Sequence, residues 1–510
     1  MSCGTLKESP LELQVDDRCQ MSTNGKTVPK IVVVGGGISG LAAAHRLLEQ
    51  SQALQVRLDV HLLEGDSRLG GVIQTVEQDG LLLEAGPDSF ISEKPWGLAL
   101  CRRIGLAGRL IGTGETHRRS FIVSQGKLLP IPEGFYLLAP TQIWPFISTP
   151  IFSWAGKLRM AADLFLPRRD GTEAADDESL ASFVRRRLGR EALERVAQPL
   201  VSGIYTANPE ELSLRATMPR FLEMELQYRS IILGMLRQRR KALQAKQIHA
   251  SGPRYGLFVS LDRGMETLVD ELEARLPKES IHLDCKVERL EWETTRKNWT
   301  LRLRNGPVLT ADAVILTLAA YESARIIEME NRELADNLKK IPYASTATLN
   351  LAYRQQDIPH PMDGFGFVVP FIEGRQLLAC TFSHIKFEGR APKGLALLRA
   401  FMGGALQPEA FEMEDGEMLR VIRHNLRELL GIKEAPILSR IERHPQAMAQ
   451  YRVGHLGLVK RIESLSTAHT TLQIAGNGIT GIGIPDCIHR SEVCADRIIE
   501  HFHQLKSCGR

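Results

Sequence analysis

Cysteine is sparse in this sequence, with 8 in 510 residues, at Cys3, Cys19, Cys101, Cys285, Cys380, Cys487, Cys494 and Cys508. No two stand as Cys-x-x-Cys, which removes zinc ribbons and thioredoxin-like redox sites. Scattered thiols in a long chain are the usage of a reducing compartment, not of a disulfide scaffold. The histidines show no metal-ligand spacing either. Long apolar runs are also missing. The segment 135–154 comes nearest, but Pro140, Pro145 and Pro150 interrupt it, so it falls short of the ~18 apolar residues of a spanning helix. Its Trp144, Phe146, Phe152 and Trp154 leave at most a peripheral membrane contact. An excess of one charge sign is lacking as well. The formal net charge is +4 and no dense basic tract stands out, so a nucleic-acid partner is not expected.

What is present is an ordinary globular composition, 43% apolar and 24% charged, long enough for two to four domains. Residues 1–28 are polar and mixed in charge, without the apolar stretch of a signal peptide, and read as a disordered tail with Met21 as a candidate start. The β-branched run Lys30 to Val34 then predicts a buried parallel strand, a helix is expected from Ile38 to Gln50, and a second strand from Leu58 to Glu64. Between the first strand and the helix lies Gly35-Gly36-Gly37-Ile38-Ser39-Gly40, a Gly-x-Gly-x-x-Gly in the strand–turn–helix context that gives the motif meaning. Gly35 allows the tight turn, Gly37 the approach of a pyrophosphate and Gly40 the close packing of the helix. Glu64, at the end of the second strand, is the acid that accepts hydrogen bonds from ribose hydroxyls and repels a 2′-phosphate. The expected fold class is therefore α/β, with a Rossmann-like dinucleotide domain.

FAD and NAD share that fingerprint. Glu64 is followed by Gly65-Asp66-Ser67-Arg68-Leu69-Gly70-Gly71, and Glu-x-x-x-Arg-x-Gly-Gly resembles the flavin amine oxidase superfamily. The resemblance implies non-covalent FAD, with Arg68 facing the cofactor phosphates and Gly70 and Gly71 passing beneath the flavin. It extends to Ile474-Ala475-Gly476-Asn477. Further segments resemble the oxygen-dependent porphyrinogen oxidases of haem synthesis, and in particular their soluble bacterial branch. These are Gly86-Pro87-Asp88-Ser89-Phe90, the run from Phe152 to Met160, Pro199 to Tyr205, and Gly481-Ile482-Gly483-Ile484-Pro485-Asp486-Cys487-Ile488. By motif position the resemblance adds FAD contacts at Gly86 to Ser89, Val287 and Ile482 to Ile484. His444 stands where the family usually carries a flavin-side tryptophan, and Ala449 where it carries a proline. Against the tetrapyrrole it implies Gly203, Val368 and Phe401, with Lys94 as a propionate partner.

The same resemblance implies a domain plan. Segments 29–92, 253–325 and 440–504 would form the FAD domain, 93–130, 220–252 and 326–439 an α+β substrate domain, and 131–219 a helical domain with possible contact at a membrane surface. It also implies oxidation of protoporphyrinogen IX or coproporphyrinogen III, with molecular oxygen as acceptor and hydrogen peroxide as co-product. The flavin N5 would accept hydride, so no side chain is assigned a catalytic role. Ferrochelatase is a candidate partner, and the cytoplasm, at most peripheral to the inner membrane face, the expected location. Two alternatives use the same cofactor fold, a flavin amine oxidase and a non-catalytic escort-type protein.

Overall fold

Ile31 and Val33 face one side of their strand, Val32 and Val34 the other, and all four are buried. A strand so apolar on both faces needs cover on both. In the computed structural model, which describes residues 28–132, 135–136, 139–140, 142–168, 177–248 and 257–508, the cover is there. The strand Lys30–Val34 is central in a five-stranded parallel sheet, ordered Ile281–His282, Asp59–Leu63, Lys30–Val34, Ala313–Leu316, Leu472–Ile474. One face is covered by the helices Ile38–Ala53, Pro95–Arg103, Glu266–Glu273 and Ile484–Cys508. The other is covered by a three-stranded antiparallel sheet, Val287–Glu293, Asn298–Leu303 and Val308–Ala311, and by the helices Ala320–Ile327, Arg332–Lys339 and His455–Ser466. Chain order reverses between Lys30–Val34 and Ala313–Leu316, so the crevice at their carboxyl ends is the place where such sheets bind ligands.

A second sheet has seven strands, in the order Leu438–Ala449, Tyr343–Arg354, Leu395–Gly403, Leu377–Phe382, Gly366–Val368, Phe121–Ser124, Lys127–Pro130. Its pairings are antiparallel except Gly366–Val368 with Phe121–Ser124. Phe121, Val123, Phe367, Cys380, Ala400 and Leu349 pack on one face with Met418, Ile422 and Leu426 of the helix Asp415–Leu430. On the opposite face Ala352 and Leu397 pack with Leu81 and Leu83, and Val368 packs on the helical unit.

The helical unit has its own core around Met160, Phe183, Val184, Val201, Leu214 and Phe221. The stretch from Glu178 to Gln198 is broken into short helical pieces. Leu180–Arg187 is capped by Ser179, whose hydroxyl accepts from Ser182 N. The chain then turns at Gly189, φ +94°, a position where a Cβ would lie 2.6 Å from Arg159 Cγ. A π-helical turn Leu193–Ala197 leads into Gln198–Tyr205.

Three segments pack differently from the expected domain plan. Residues 95–106 bury Leu98, Leu100, Cys101 and Ile104 in the first core, not with the second sheet. Residues 221–235 bury Phe221, Met224, Ile231 and Met235 in the helical core. Residues 326–341 bury Ile326, Leu334 and Leu338 behind the parallel sheet. In each case the apolar face of a helix follows the nearest uncovered surface, which segment boundaries do not reveal. The expected tail, residues 1–27, and part of the segment 135–154 lie outside the described residues.

The helical unit is held by a fully buried ion pair. Arg187 donates through Nε to Asp163 Oδ1 at 2.7 Å and through its other nitrogens to the carbonyls of Pro167, Asp163 and Arg229. Asp163 Oδ2 accepts from Ser230 Oγ at 2.6 Å and Ile232 N at 3.1 Å. Removing one partner strands the other charge, a cost of about 3–5 kcal/mol. Asp163→Ala is expected to lower the unfolding free energy obtained from urea denaturation by that amount. A loss below about 1 kcal/mol, the value of an exposed pair, would contradict this account.

Candidate functional site

The turn after the first strand is built on the absence of side chains. A Cβ at Gly40 would lie 1.7 Å from the Gly35 carbonyl oxygen, so the helix can start this close to the strand only with glycine there. Gly35 itself has φ +106°. At Gly37, by contrast, a Cβ would meet nothing within 4 Å. That opening lies at the N-terminus of the helix Ile38–Ala53, where free N–H groups and the helix dipole favour an anion. Glu64 closes the turn from the neighbouring strand, its Oε2 accepting from Gly36 N at 2.5 Å and its Oε1 from Asp66 N at 2.9 Å.

The two glycine motifs are in contact. Gly70 N donates to Gly36 O at 2.9 Å, and a Cβ on Gly71 would stand 3.4 Å from Gly37 Cα. Gly70 and Gly71 have φ +99° and +57°. Arg68 is turned onto this loop, bonding the carbonyls of Leu69, Ile73 and Gly71. Its guanidinium therefore shapes the Gly70–Gly71 passage directly. Val287 is buried in the core behind the sheet and its carbonyl accepts from Arg325. Its neighbour Lys286 lies 3.5 Å from the position of a Cβ on Gly65.

The far end of the chain returns to the same turn. Tyr451 Oη donates to Asn477 O and accepts from Gly481 N, both at 2.6 Å, which fixes the loop 477–483 before the helix that begins at Ile484. Cys487 hydrogen-bonds Ser39 in the dinucleotide turn, and burial pushes its thiol up to about 12. Lys94 does not stand free. Its Nζ sits 2.6 Å from both carboxylate oxygens of Asp486.

The segment Gly86 to Ser89 is met from the second sheet. Lys386 Nζ donates to Asp88 Oδ1 and Oδ2 at 3.0 and 2.8 Å and to Ser89 Oγ at 3.2 Å. Arg399 donates to Gly86 O and its Nη1 lies 3.8 Å from Asp88 Oδ2. Burial works against the Asp88 carboxylate, but Lys386 and Arg399 outweigh it and hold the group well below the ordinary carboxylate range. A Cβ on Gly86 would lie 1.8 Å from Val72 O, so this loop also packs without room for a side chain.

The expected substrate residues converge through strand register. Val368, Ala379, Phe401 and Thr348 are consecutive partners across four strands and so share one face. A Cβ on Gly203 would lie 3.7 Å from Val368 Cγ1, which places the helix Gln198–Tyr205 against that row. Tyr205, two residues on, feels the Asp486 charge; burial first, then Asp486, raise its hydroxyl to about 12. At the other end of the row Phe401 lies under Arg399, 4.9 Å from guanidinium carbon to ring centre. Lys94, Gly203, Val368, Phe401 and Gly86 thus belong to one connected region. Sequence reasoning missed Arg399, Lys386, Asp486 and Tyr451. The one local signal was an arginine inside the apolar run Leu397-Leu398-Arg399-Ala400-Phe401.

Residues 38–499 match the family described as Flavin containing amine oxidoreductase. The chain belongs to that family. A flavin cofactor follows, and the glycine cradle, the open space at Gly37 and Glu64 fit one. The chain is 34% identical to coproporphyrinogen III oxidase of Bacillus subtilis (strain 168), over 92% of this chain and 98% of that protein. It is 30% identical to the chloroplastic protoporphyrinogen oxidase of Nicotiana tabacum, over 92% and 85%. A solved protein of Exiguobacterium sp. 255-15 superposes with a TM-score of 0.81 at 29% identity, covering 94% of this chain and 100% of that chain. A reduced UDP-galactopyranose mutase, at 15% identity and a TM-score of 0.68, covering 93% and 95%, shares the fold alone.

The two turn glycines are expected to behave differently. Gly40→Ala forces atoms into the Gly35 carbonyl and should destabilise the protein itself by about 1–3 kcal/mol. Gly37→Val should leave the melting temperature of the flavin-free protein unchanged and abolish flavin retention. Equal losses of stability for both would refute the assignment of Gly37 to an open cradle.

His444 gives a pH test. Its Nε2 lies 2.8 Å from Ala85 O, and since a carbonyl only accepts, Nε2 carries the proton and donates. Burial lowers the ring below its ordinary 6.5, with the Ala85 bond only partly opposing it. The native state thus keeps His444 neutral where the unfolded chain begins to bind a proton. Its contribution is complete above 6.5 and declines as pH falls through that window. His444→Gln donates at every pH, so the melting-temperature gap between the parent and this variant should narrow or reverse on acidification. A pH-independent gap would contradict the role.

Proposed function

We propose that the chain is an FAD- and oxygen-dependent porphyrinogen oxidase of haem synthesis, converting coproporphyrinogen III to coproporphyrin III, with protoporphyrinogen IX as the second substrate. The observation that carries the reading is the identity with the coproporphyrinogen III oxidase, spread over nearly the whole of both chains. It exceeds the identity with the chloroplastic protoporphyrinogen oxidase, which supports naming coproporphyrinogen III first. The amine-oxidase alternative has support from fold alone, at 15% identity to a putrescine oxidase. The escort-type alternative is disfavoured by the intact glycine cradle.

FAD when bound supplies a two-electron acceptor that oxygen reoxidises with release of hydrogen peroxide, so that three rounds remove six electrons. Glu64 would bond ribose hydroxyls, the N–H groups around Gly37 the pyrophosphate, and the segments Gly86 to Ser89 and Ile482 to Ile484 the ring system. Binding is non-covalent in this reading. Cys487, the thiol beside the turn, is held protonated by burial and is a poor nucleophile. Val368, Ala379 and Phe401 wall the macrocycle, and Gly203 lets helix backbone approach it. Lys94 takes a substrate carboxylate by dividing its ammonium donors between that group and Asp486. A methylene bridge between pyrroles gives up hydride to leave a delocalised cation, and the pyrrole N–H protons depart afterwards. No side-chain base is assigned.

Among the described residues no helix is long and apolar enough to cross a membrane. Trp144 and Phe165 are 81% and 80% exposed, with Trp154 and Leu158 also outside. Lys157 joins the two short helices, its Nζ 2.5 Å from Ile147 O and 4.6 Å from the Trp154 ring centre. This apolar rim supports peripheral contact with the inner face of a membrane by a cytoplasmic enzyme. Ferrochelatase is the proposed recipient of the product.

Purified protein should carry FAD and, in air, produce fluorescent porphyrin and peroxide from coproporphyrinogen III above the protein-free rate. No porphyrin above that rate from either porphyrinogen would overturn the function. Phe401→Ala should slow flavin reduction about tenfold or more through lost orientation, while reoxidation by oxygen stays near normal. Stopped-flow absorbance separates the two half-reactions, and an equal slowing of both would remove Phe401 from the substrate wall.

A further inference from the structure

We propose that Arg399 is a positioning residue that couples the cofactor segment Gly86–Ser89 to the substrate wall at Phe401. The second half of the statement rests on the reading of Phe401 given above; the first does not. Arg399 is 4% exposed, and burying a charge is costly unless it is paired and hydrogen-bonded. One edge donates to Gly86 O and lies 3.8 Å from Asp88 Oδ2, while its face covers the Phe401 ring at 4.9 Å. A planar cation can do both at once, donating in plane and stacking with its face. The neighbouring cations are otherwise engaged. Lys386 holds Asp88 and Ser89, and Arg390 bonds Ser260 Oγ and the carbonyls of Leu261 and Asp262.

The group also has somewhere to go. Arg399 Nε is a buried donor without a partner, and Asn350 Oδ1 is a buried acceptor without one. The two residues are direct partners across adjacent strands. Turning the guanidinium toward Asn350 would satisfy both atoms and loosen the hold on Gly86. A ring pushed by a filled pocket therefore shifts the group that anchors the cofactor segment, and the converse holds equally.

Flavin-free protein carrying Arg399→Gln, Arg399→Lys, Phe401→Leu or the Lys/Leu pair is titrated with FAD, and its melting temperature recorded. Arg399→Gln should weaken FAD binding about tenfold, and Arg399→Lys should largely restore it, because a lysine still supplies a charged donor to Gly86 and Asp88. A merely structural role would lower the melting temperature without rescue by lysine. Loaded protein is then reduced anaerobically by coproporphyrinogen III. Arg399→Lys and Phe401→Leu should each slow reduction, and the double variant should be no slower than the slower single. Unchanged FAD affinity in Arg399→Gln overturns the anchoring, and multiplicative slowing in the double variant overturns the coupling. The FAD titration needs no substrate. Failure of the unaltered protein to be reduced by any porphyrinogen sinks the functional reading, and the anchoring is still decided by affinity.

Discussion

The distance between the first strand and the helix that follows it governs everything else in the site. Gly40 brings that helix onto the Gly35 carbonyl more closely than any side chain permits. The approach aims the helix N-terminus at the switch point of the parallel sheet and leaves the space at Gly37 empty of protein. Gly70 and Gly71 then fit against Gly36 and Gly37 with positive φ, and Glu64 caps Gly36. Both glycine motifs, separated by some thirty residues of sequence, are two sides of one narrow passage. A methyl group at Gly40 meets the backbone of the turn, whereas one at Gly37 meets open space.

Around this apolar and backbone-lined passage the protein buries an unusual density of charge. Asp88, Lys386 and Arg399 share one set of contacts, and Glu84 and Arg390 form a second pair, 3.8 Å apart. Burial raises Glu84, yet it accepts from Thr75 Oγ1 and Met265 N, which offset part of that cost. Such a cluster is weak evidence for stability, because hydrophobic residues of similar volume often do as well. What it does supply is fixed geometry. The carbonyls of Ala85 and Gly86 are each met by a donor from the second sheet, His444 and Arg399 respectively, so the segment Gly86–Ser89 is registered against the sheet that carries Phe401.

The parts of this arrangement that were legible in the sequence are those encoded locally. The strand Lys30–Val34 appears with the bounds its β-branched run implies, and the glycine turn, the helix and Glu64 follow at fixed spacings. Val368 and Phe401 come to one face through strand register, and Gly203 packs against it. What was not legible depends on contacts across hundreds of residues. Lys94 meets Asp486, 392 residues away, and Arg399 meets Gly86, 313 away. Neither pairing has a spacing rule. Segment ownership failed for a related reason. The helix Pro95–Arg103 carries an ordinary apolar stripe, and nothing in the stripe says which of two cores it fills. The exception is Arg399, where a charge in the middle of a buried strand was itself a signal that a partner lay opposite.

The same burial that fixes the geometry also limits the chemistry the side chains can do. Tyr205 and Cys487, which both feel the Asp486 charge, are raised to about 12, chiefly by burial, and stay neutral at physiological pH. Asp486 is bound by Lys94, and Asp88 by Lys386 and Arg399. His444 uses its Nε2 proton on Ala85. A general base works best with a free lone pair and a titration near the working pH, and these groups are spent on holding one another. A substrate that stabilises its own cation and then sheds its own pyrrole protons asks for no such base. It asks for a flat apolar wall, a cation for its carboxylates and a cofactor that does not drift, and on the proposed reading Phe401 with Val368, Lys94, and the contacts on Gly86–Ser89 would supply them.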